Sequence, residues 1–205
     1  QQDGVKWLIK RELFTKNCRG GFLCDEMGLG KTLQMISLMI ANPVQNTLLI
    51  LPANLIYQWL SEIERFIGDR LQIFLHHGKS RVTRDILESK KQKIIITTYS
   101  LMALYPYSVF HTTNLDRIIL EECHLVRNHK SKSARSIFSI HSKYRWGITG
   151  TPIHNTIKDL TSLCLFLGID QITVKKHTKT IVDRYILRRT KKDVERFNPK
   201  LKLPS

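Results

Sequence analysis

Long apolar runs are missing from this chain. None approaches the roughly 20 residues that a membrane-spanning helix needs, and neither a basic amphipathic helix nor a lipidation signal stands out. A membrane is therefore not an expected partner. No CxxC pair occurs: Cys18, Cys24, Cys123 and Cys164 are scattered, which argues against a disulfide or zinc framework and predicts buried, reduced thiols of an intracellular protein. His76 and His77 have no Cys, Asp or third His at ligand spacing, so they are not read as a metal site. Internal repeats, low-complexity stretches and a secretory signal are all absent, and no Met precedes Gln1, which predicts an excerpt of a longer chain. Acid is scarce as well. Asp plus Glu number 17 against 33 Lys plus Arg, a net charge of +16 in 205 residues. Such an excess favours a polyanion, nucleic acid first, through counterion release.

What is present begins with residues 25 to 32, DEMGLGKT, set between a short apolar strand and an apolar helix. Gly28 and Gly30 allow a tight turn that brings backbone N–H groups to a polyphosphate, and the helix opening at Lys31 aims its positive dipole end at the same place. Lys31 is placed to reach the β- and γ-phosphates and Thr32 to offer a hydroxyl to magnesium. The usual pattern has a glycine five residues before Gly30, where this chain has Asp25.

At 42% hydrophobic, 205 residues suffice for one sizeable core. Short apolar strands are expected at Gly21 to Cys24, Thr47 to Leu51, Gln72 to Leu75, Lys93 to Thr98, Arg117 to Glu121 and Trp146 to Thr149. Helices are expected between them, at Lys31 to Ile40, Leu55 to Phe66, Ser80 to Ser89, Ser131 to Ile140 and Ile157 to Phe166. Strands that are apolar throughout rather than alternating suit a parallel sheet covered on both faces, the α/β class. Ligands then bind beyond the carboxyl ends of the strands.

Two acids, Glu121 and Glu122, followed by Cys123 and His124, end one such strand. Beside a nucleotide they could hold hydrated magnesium and activate water, although an acid pair alone fits a solvated strand end better. GITGTP follows at Gly147 to Pro152, where Thr149 and Thr151 flank Gly150 with hydroxyls and backbone freedom suited to linking a nucleotide site to a neighbouring ligand.

Taken in order, QQDGVKWLIK, DEMGLGKT, LLILPANLIYQW, IIITTYS, LEECHLVRN, GITGTPIHN and YILRRTKKDV resemble the first RecA-like lobe of the Swi/Snf-type branch of superfamily II helicase-like ATPases. The resemblance implies a RecA-like three-layer sandwich, a P-loop NTPase, over residues 1–187, with 188–205 a basic exit segment toward a second lobe. It implies an ATP-dependent translocase of double-stranded DNA, acting in chromatin remodelling or transcription. Its nucleotide contacts are Gln1, Asp25, Met27, Gly28, Leu29, Gly30, Lys31 and Thr32, with ATP and Mg2+ as cofactors. Thr32 and Glu121 are the implied metal residues, Glu122 the group that polarises water, and His124 a link from the acid box to the rest of the site. Thr149, Gly150 and Thr151 form the coupling segment. Pro52, Gly78, Thr98, Arg127, Lys130 and Lys132 are implied along the DNA track. The short stretch from Gly168 to Asp183 has no room for the large helical protrusion of nuclear remodellers and resembles compact viral members. The implied location is the nucleus, with the cytoplasm as the alternative.

Some positions depart from the family. Glu121 stands where the family has Asp, one methylene longer, which predicts a displaced metal-bound water and reduced turnover. His154 replaces a Gln of the coupling segment. In this family a second lobe supplies the arginine finger, so residues 1 to 205 alone are expected to hydrolyse ATP slowly or not at all. A nucleic-acid-binding scaffold with impaired hydrolysis is the alternative function. From Gln171 to Ser205 there are 11 Lys or Arg against 3 Asp or Glu, which fits either a solvated linker or phosphate contact. Trp7, Trp59 and Trp146 lie in apolar surroundings and read as core.

Overall fold

A computed structural model describes residues 1–16, 18–151 and 156–197. The chain runs α1 (Gln2–Leu13), β1 (Gly20–Leu23), α2 (Lys31–Ala41), β2 (Asn46–Leu51), α3 (Ile56–Ile67), β3 (Gln72–Leu75), α4 (Arg84–Glu88), β4 (Lys93–Thr98) and α5 (Tyr99–Leu104). It continues through β5 (Leu115–Glu121), α6 (Lys132–Phe138), β6 (Ser142–Ile148), α7 (Ile157–Phe166), α8 (Gln171–Lys176), α9 (Thr178–Tyr185), β7 (Ile186–Leu187) and α10 (Lys191–Phe197). Seven strands form one sheet in the order β3-β4-β2-β5-β6-β1-β7, every neighbouring pair parallel.

Burial explains why these segments are strands. Every residue of β1, β2 and β4 is buried, so consecutive side chains enter opposite layers and both must be apolar or paired. Phe22, Leu48, Ile95 and Ile118 join a core with Phe110, Ile137, Leu163 and Phe166 on one face. Their neighbours Leu23, Leu49, Ile94 and Ile119 join Leu8, Met35, Trp59 and Trp146 on the other. Two helical layers thus enclose the sheet. Trp59 and Trp146 are core residues, and Trp7 packs edge-on against Trp146 with ring centres 5.6 Å apart. Cys24, Cys123 and Cys164 are buried and Cys18 half-buried.

Several expected boundaries shift. The helix expected over Ser80 to Ser89 shrinks to Arg84–Glu88 because the Val82 N–H donates to His76 Nδ1 at 3.0 Å and the Ser80 N–H to the His77 carbonyl at 3.0 Å. Those bonds hold residues 76 to 82 as a turn. β5 and β6 begin earlier than expected, since Leu115 and Ser142 already pair across the ladder, and β6 ends at Ile148 rather than Thr149. β7 was not expected at all. It consists of two residues paired with Phe22 and Leu23 of β1.

Candidate functional site

Most of the residues singled out for nucleotide chemistry lie at the carboxyl edge of the sheet. After β1 the chain turns through residues 25 to 30 into α2. Gly28 and Gly30 have φ of 86° and 75°, and a Cβ on Gly30 would come within 2.4 Å of Gln1 Nε2. The positive-φ backbone favours glycine at position 30, and any side chain there would have to displace the Gln1 amide. Lys31 opens α2, and its Nζ donates to the carbonyls of Asp25 at 2.7 Å and Glu26 at 3.2 Å. Burial lowers the Lys31 pKa, opposed by the carboxylates of Glu121, Asp25 and Glu122. The first N–H groups of α2 lack helical acceptors, as at any helix start, and face the loop.

Across the loop, β5 delivers Glu121 and Glu122. Glu121 is 9% exposed, and its Oε2 is buried with no hydrogen-bond partner among the described residues. Burial, and then the neighbouring Glu122, push its pKa up to about 8 against the pull of Lys31. Tyr99 donates its hydroxyl to the Glu121 carbonyl at 2.7 Å, fixing the strand end. Glu122 adopts a left-handed conformation, φ 52° and ψ 49°, uncommon for a side chain of this size, so the chain bends sharply after β5. The bend sets Glu122 Oε2 3.1 Å from His124 Nδ1 and within 3.3 Å of the Thr149 hydroxyl, which donates to it. Thr149 Oγ1 also lies 3.2 Å from His124 Nδ1 and 2.9 Å from Thr151 Oγ1, and accepts the Thr151 N–H at 3.2 Å. Glu122 and His124 after β5 and Thr149 and Thr151 after β6 are one hydrogen-bonded unit.

Met27, Gly28, Gly30, Lys31 and Thr32 share a cleft of about 340 Å³ with Glu121, Glu122 and Gly150. A Cβ on Gly150 would lie 2.8 Å from Met27 Cγ, so the loop after β6 packs directly on the phosphate loop. Leu55, Gln58 and Trp59, from the turn after β2 and the start of α3, close the third wall. Leu55 and Gln58 were not singled out from sequence; their only signal was inclusion in LLILPANLIYQW. The donors suit a polyphosphate and a hydrated divalent cation: positive-φ glycines at a helix start, an ammonium, a hydroxyl, and in Glu121 Oε2 a buried oxygen otherwise unsatisfied.

Three expected nucleotide contacts stand apart from this cleft. Asp25 is fully buried, with its carboxylate held by Arg189 and Gln34, and reaches Lys31 only through its carbonyl. Gln1 borders a separate recess of about 410 Å³ between α1 and α2, beside Leu33, Gln34 and Ser37. Leu29 is buried under the loop.

The implied DNA residues also sit at strand ends. Pro52 follows β2, Gly78 follows β3 with φ 59°, and Thr98 ends β4, where its hydroxyl accepts the Leu101 N–H at 3.4 Å to cap α5. Exposed Arg127 and Lys130 open on a cleft of about 640 Å³ with Lys158, which the sequence reading missed, and Lys175, which it counted only within the basic stretch after Gln171. Lys132 lines a different hollow with Arg135. His154 and Pro152 lie outside the described residues, as do positions 198–205 of the basic stretch.

A sequence profile for the SNF2-related domain matches residues 1–179. An uncharacterised ATP-dependent helicase of Schizosaccharomyces pombe is 32% identical over 196 residues, covering 82% of this chain and 19% of that protein. Transcription termination factor 2 of Drosophila melanogaster is 34% identical over 210 residues, covering 82% of this chain and 20% of its own length. The chain spans about a fifth of these relatives. The Sulfolobus solfataricus SWI2/SNF2 ATPase core, solved in complex with double-stranded DNA, has a TM-score of 0.75 and 27% identity, covering 96% of this chain and 45% of that one. The chain therefore belongs to the SNF2-related domain family, and its sheet is that of an SNF2-type ATPase core.

Proposed function

We propose that residues 1–187 are the first motor lobe of an ATP-dependent double-stranded-DNA translocase that binds Mg2+-ATP at the loop before Lys31 and works with a second RecA-like lobe. The observation that carries this reading is the convergence of Lys31, Thr32, Glu121 and Glu122 on one cleft, with Glu121 Oε2 buried and unpartnered. Lys31 and the N–H groups of α2 bind and orient phosphates. Thr32 and Glu121 hold the metal, which when bound neutralises charge on the transferring phosphoryl group. Glu122, aimed by His124 and Thr149, takes the proton of the attacking water. Thr149 and Thr151 carry the change at Glu122 into the loop after β6.

DNA as the substrate draws support from the net charge of +16, the basic cleft at Arg127 and Lys130, and the DNA-bound SWI2/SNF2 relative. The likeness to a transcription termination factor supports a nuclear setting. The test is ATP turnover by the full-length protein with and without double-stranded DNA. Wild type is expected to be stimulated by DNA, Lys31→Ala to lose nucleotide binding, and Glu122→Gln to bind ATP while turning over on the order of 10²-fold or more slower. Residues 1–205 alone are expected to turn over slowly, lacking the arginine finger of the second lobe.

Glu121 in place of Asp favours a second reading, a DNA-binding scaffold of the same fold with impaired hydrolysis. Equal inertness of the wild type and both variants would establish it.

A further inference from the structure

Asp25 occupies the place of a glycine in the usual phosphate-loop pattern, and the loop's own turn gives no reason for a carboxylate there. Its partner lies 164 residues away. Arg189 gives its backbone N–H and its Nε to Asp25 Oδ1, each at 3.0 Å, and a terminal nitrogen to Asp25 Oδ2. That terminal nitrogen also donates to Gln34 Oε1 at 2.8 Å. Gln34 Nε2 in turn donates to Asp25 Oδ2 and to the carbonyl of Leu29, each at 3.2 Å. Backbone bonds reinforce the grip: the Cys24 N–H donates to the Leu187 carbonyl at 2.7 Å, and the Glu26 N–H to the Arg189 carbonyl at 2.9 Å. Glu26 Oε2 accepts the Lys191 N–H at 2.8 Å.

These bonds bracket the residues that must shape themselves to phosphate. Asp25, Glu26 and Leu29 stand on either side of Met27 and Gly28, Gln34 lies one helical turn beyond Gly30, and the Asp25 carbonyl holds Lys31 Nζ. Space is kept for the network as well, since a Cβ on Gly4 of α1 would fall 1.8 Å from Gln34 Oε1 and 2.6 Å from the Arg189 terminal nitrogen. A fully buried carboxylate needs a charged, fork-shaped donor, and a guanidinium meets both oxygens of Asp25 at once. Building on the nucleotide-binding reading above, we propose that Arg189 is a positioning residue for the phosphate loop: its grip on Asp25 and Gln34 sets the loop's shape and ties that shape to the segment leaving the sheet at β7. Any displacement of that segment then alters nucleotide affinity.

The experiment measures, in the full-length protein, KM for ATP, the Kd of a fluorescent ATP analogue, the Kd for DNA without nucleotide, and the melting temperature. The variants are Arg189→Gln, Arg189→Lys, Asp25→Asn and the double variant Asp25→Asn/Arg189→Gln. Misplacing a binding group by about 1 Å costs on the order of 10²-fold. Arg189→Gln and Asp25→Asn are each expected to raise KM and the analogue Kd about tenfold or more, with the DNA Kd within about twofold of wild type. Arg189→Lys, which keeps the charge but not the fork, should fall between, and the double variant should be no worse than the worse single one, because both act through one contact. A KM within about twofold of wild type in Asp25→Asn and Arg189→Lys, or multiplicative losses in the double variant, overturns the proposal even if the melting temperature falls. Should Arg189→Gln not fold, Asp25→Asn and Arg189→Lys decide alone. Wild type that binds no ATP analogue would overturn the nucleotide reading itself, and this inference with it.

Discussion

Glu12 in α1 and Arg117 in β5 form a salt bridge with Oε2 2.6 Å from a terminal guanidinium nitrogen, and neither side chain is exposed to solvent. Arg117 Nε donates to Glu12 Oε1 at 2.7 Å, so the pair is bidentate. Trp146 Nε1 and Asn42 Nδ2 donate to the same carboxylate at 2.8 and 2.6 Å. Glu12 thereby fastens α1 to β5, β6 and the end of α2. Removing one partner of a buried pair leaves an uncompensated charge, which costs about 3–5 kcal/mol. Glu12→Ala is expected to lose that much stability in urea unfolding, and Glu12→Ala/Arg117→Met less than the sum of its singles. A loss below about 1 kcal/mol in the single variant contradicts the account.

The four thiols should resist alkylation. Burial pushes the Cys164 thiol up to about 12 and raises those of Cys24 and Cys123 well above the ordinary value, while Cys18, half-buried and donating to the Leu167 carbonyl at 3.2 Å, is also raised. Only the thiolate reacts at an appreciable rate. At pH 8 the folded chain should label slowly, Cys18 first, and all four cysteines rapidly in denaturant. Mass spectrometry after timed iodoacetamide exposure reads the order, and early labelling of Cys123 would be the contrary result.

His76 gives stability a pH dependence. Burial, and then the charge of Arg81, lower its pKa below the ordinary 6.5, and Nδ1 must stay unprotonated to accept the Val82 N–H. The unfolded chain therefore binds the proton more readily than the folded one as pH falls. The contribution is complete above pH 6.5 and is lost on acidification from 6.5 down through the folded value. His76→Gln should flatten that part of the stability curve. A wild-type curve identical to the variant's between pH 7 and about pH 5 would rule this out.

Legibility followed locality. The strands at Gln72–Leu75 and Lys93–Thr98, and the helix at Ile157–Phe166, match their sequence readings residue for residue: the full burial of Lys93–Thr98 writes a continuous Ile run, half-buried Gln72–Leu75 still carries three apolar residues in a row, and Thr156 caps the helix start. Gly28, Gly30 and Lys31 were equally readable, since their conformations depend on adjacent residues. By contrast, β7 is two residues long and becomes a strand only by pairing with Phe22 and Leu23. The Asp25–Arg189 contact joins positions 164 apart, so Asp25 read only as an implied nucleotide contact and Arg189 only as part of a basic stretch fitting either a linker or phosphate contact. α1 was not read as a helix, only Gln1 before it and Trp7 within it being singled out, its amphipathic stripe being blurred by buried Arg11 and Glu12, which bond to Gly20, Arg117 and Trp146.

The basic cleft yields the last expectation. Arg127 and Lys130, after β5, face Lys158 of α7 and Lys175 of α8 across about 640 Å³, and the acid in that lining, Asp159, is already bonded to the Thr156 hydroxyl at 3.0 Å. Cations left so placed suit backbone phosphates, which carry charge but no sequence. Each phosphate contact removed lowers the salt slope of log K by about 1 and weakens all sequences alike. Lys130→Ala and Lys158→Ala in the full-length protein should each do so in DNA titrations from low to moderate salt. A change confined to one DNA sequence would point instead to base contact, and an unchanged slope in both variants would place the DNA elsewhere on the lobe.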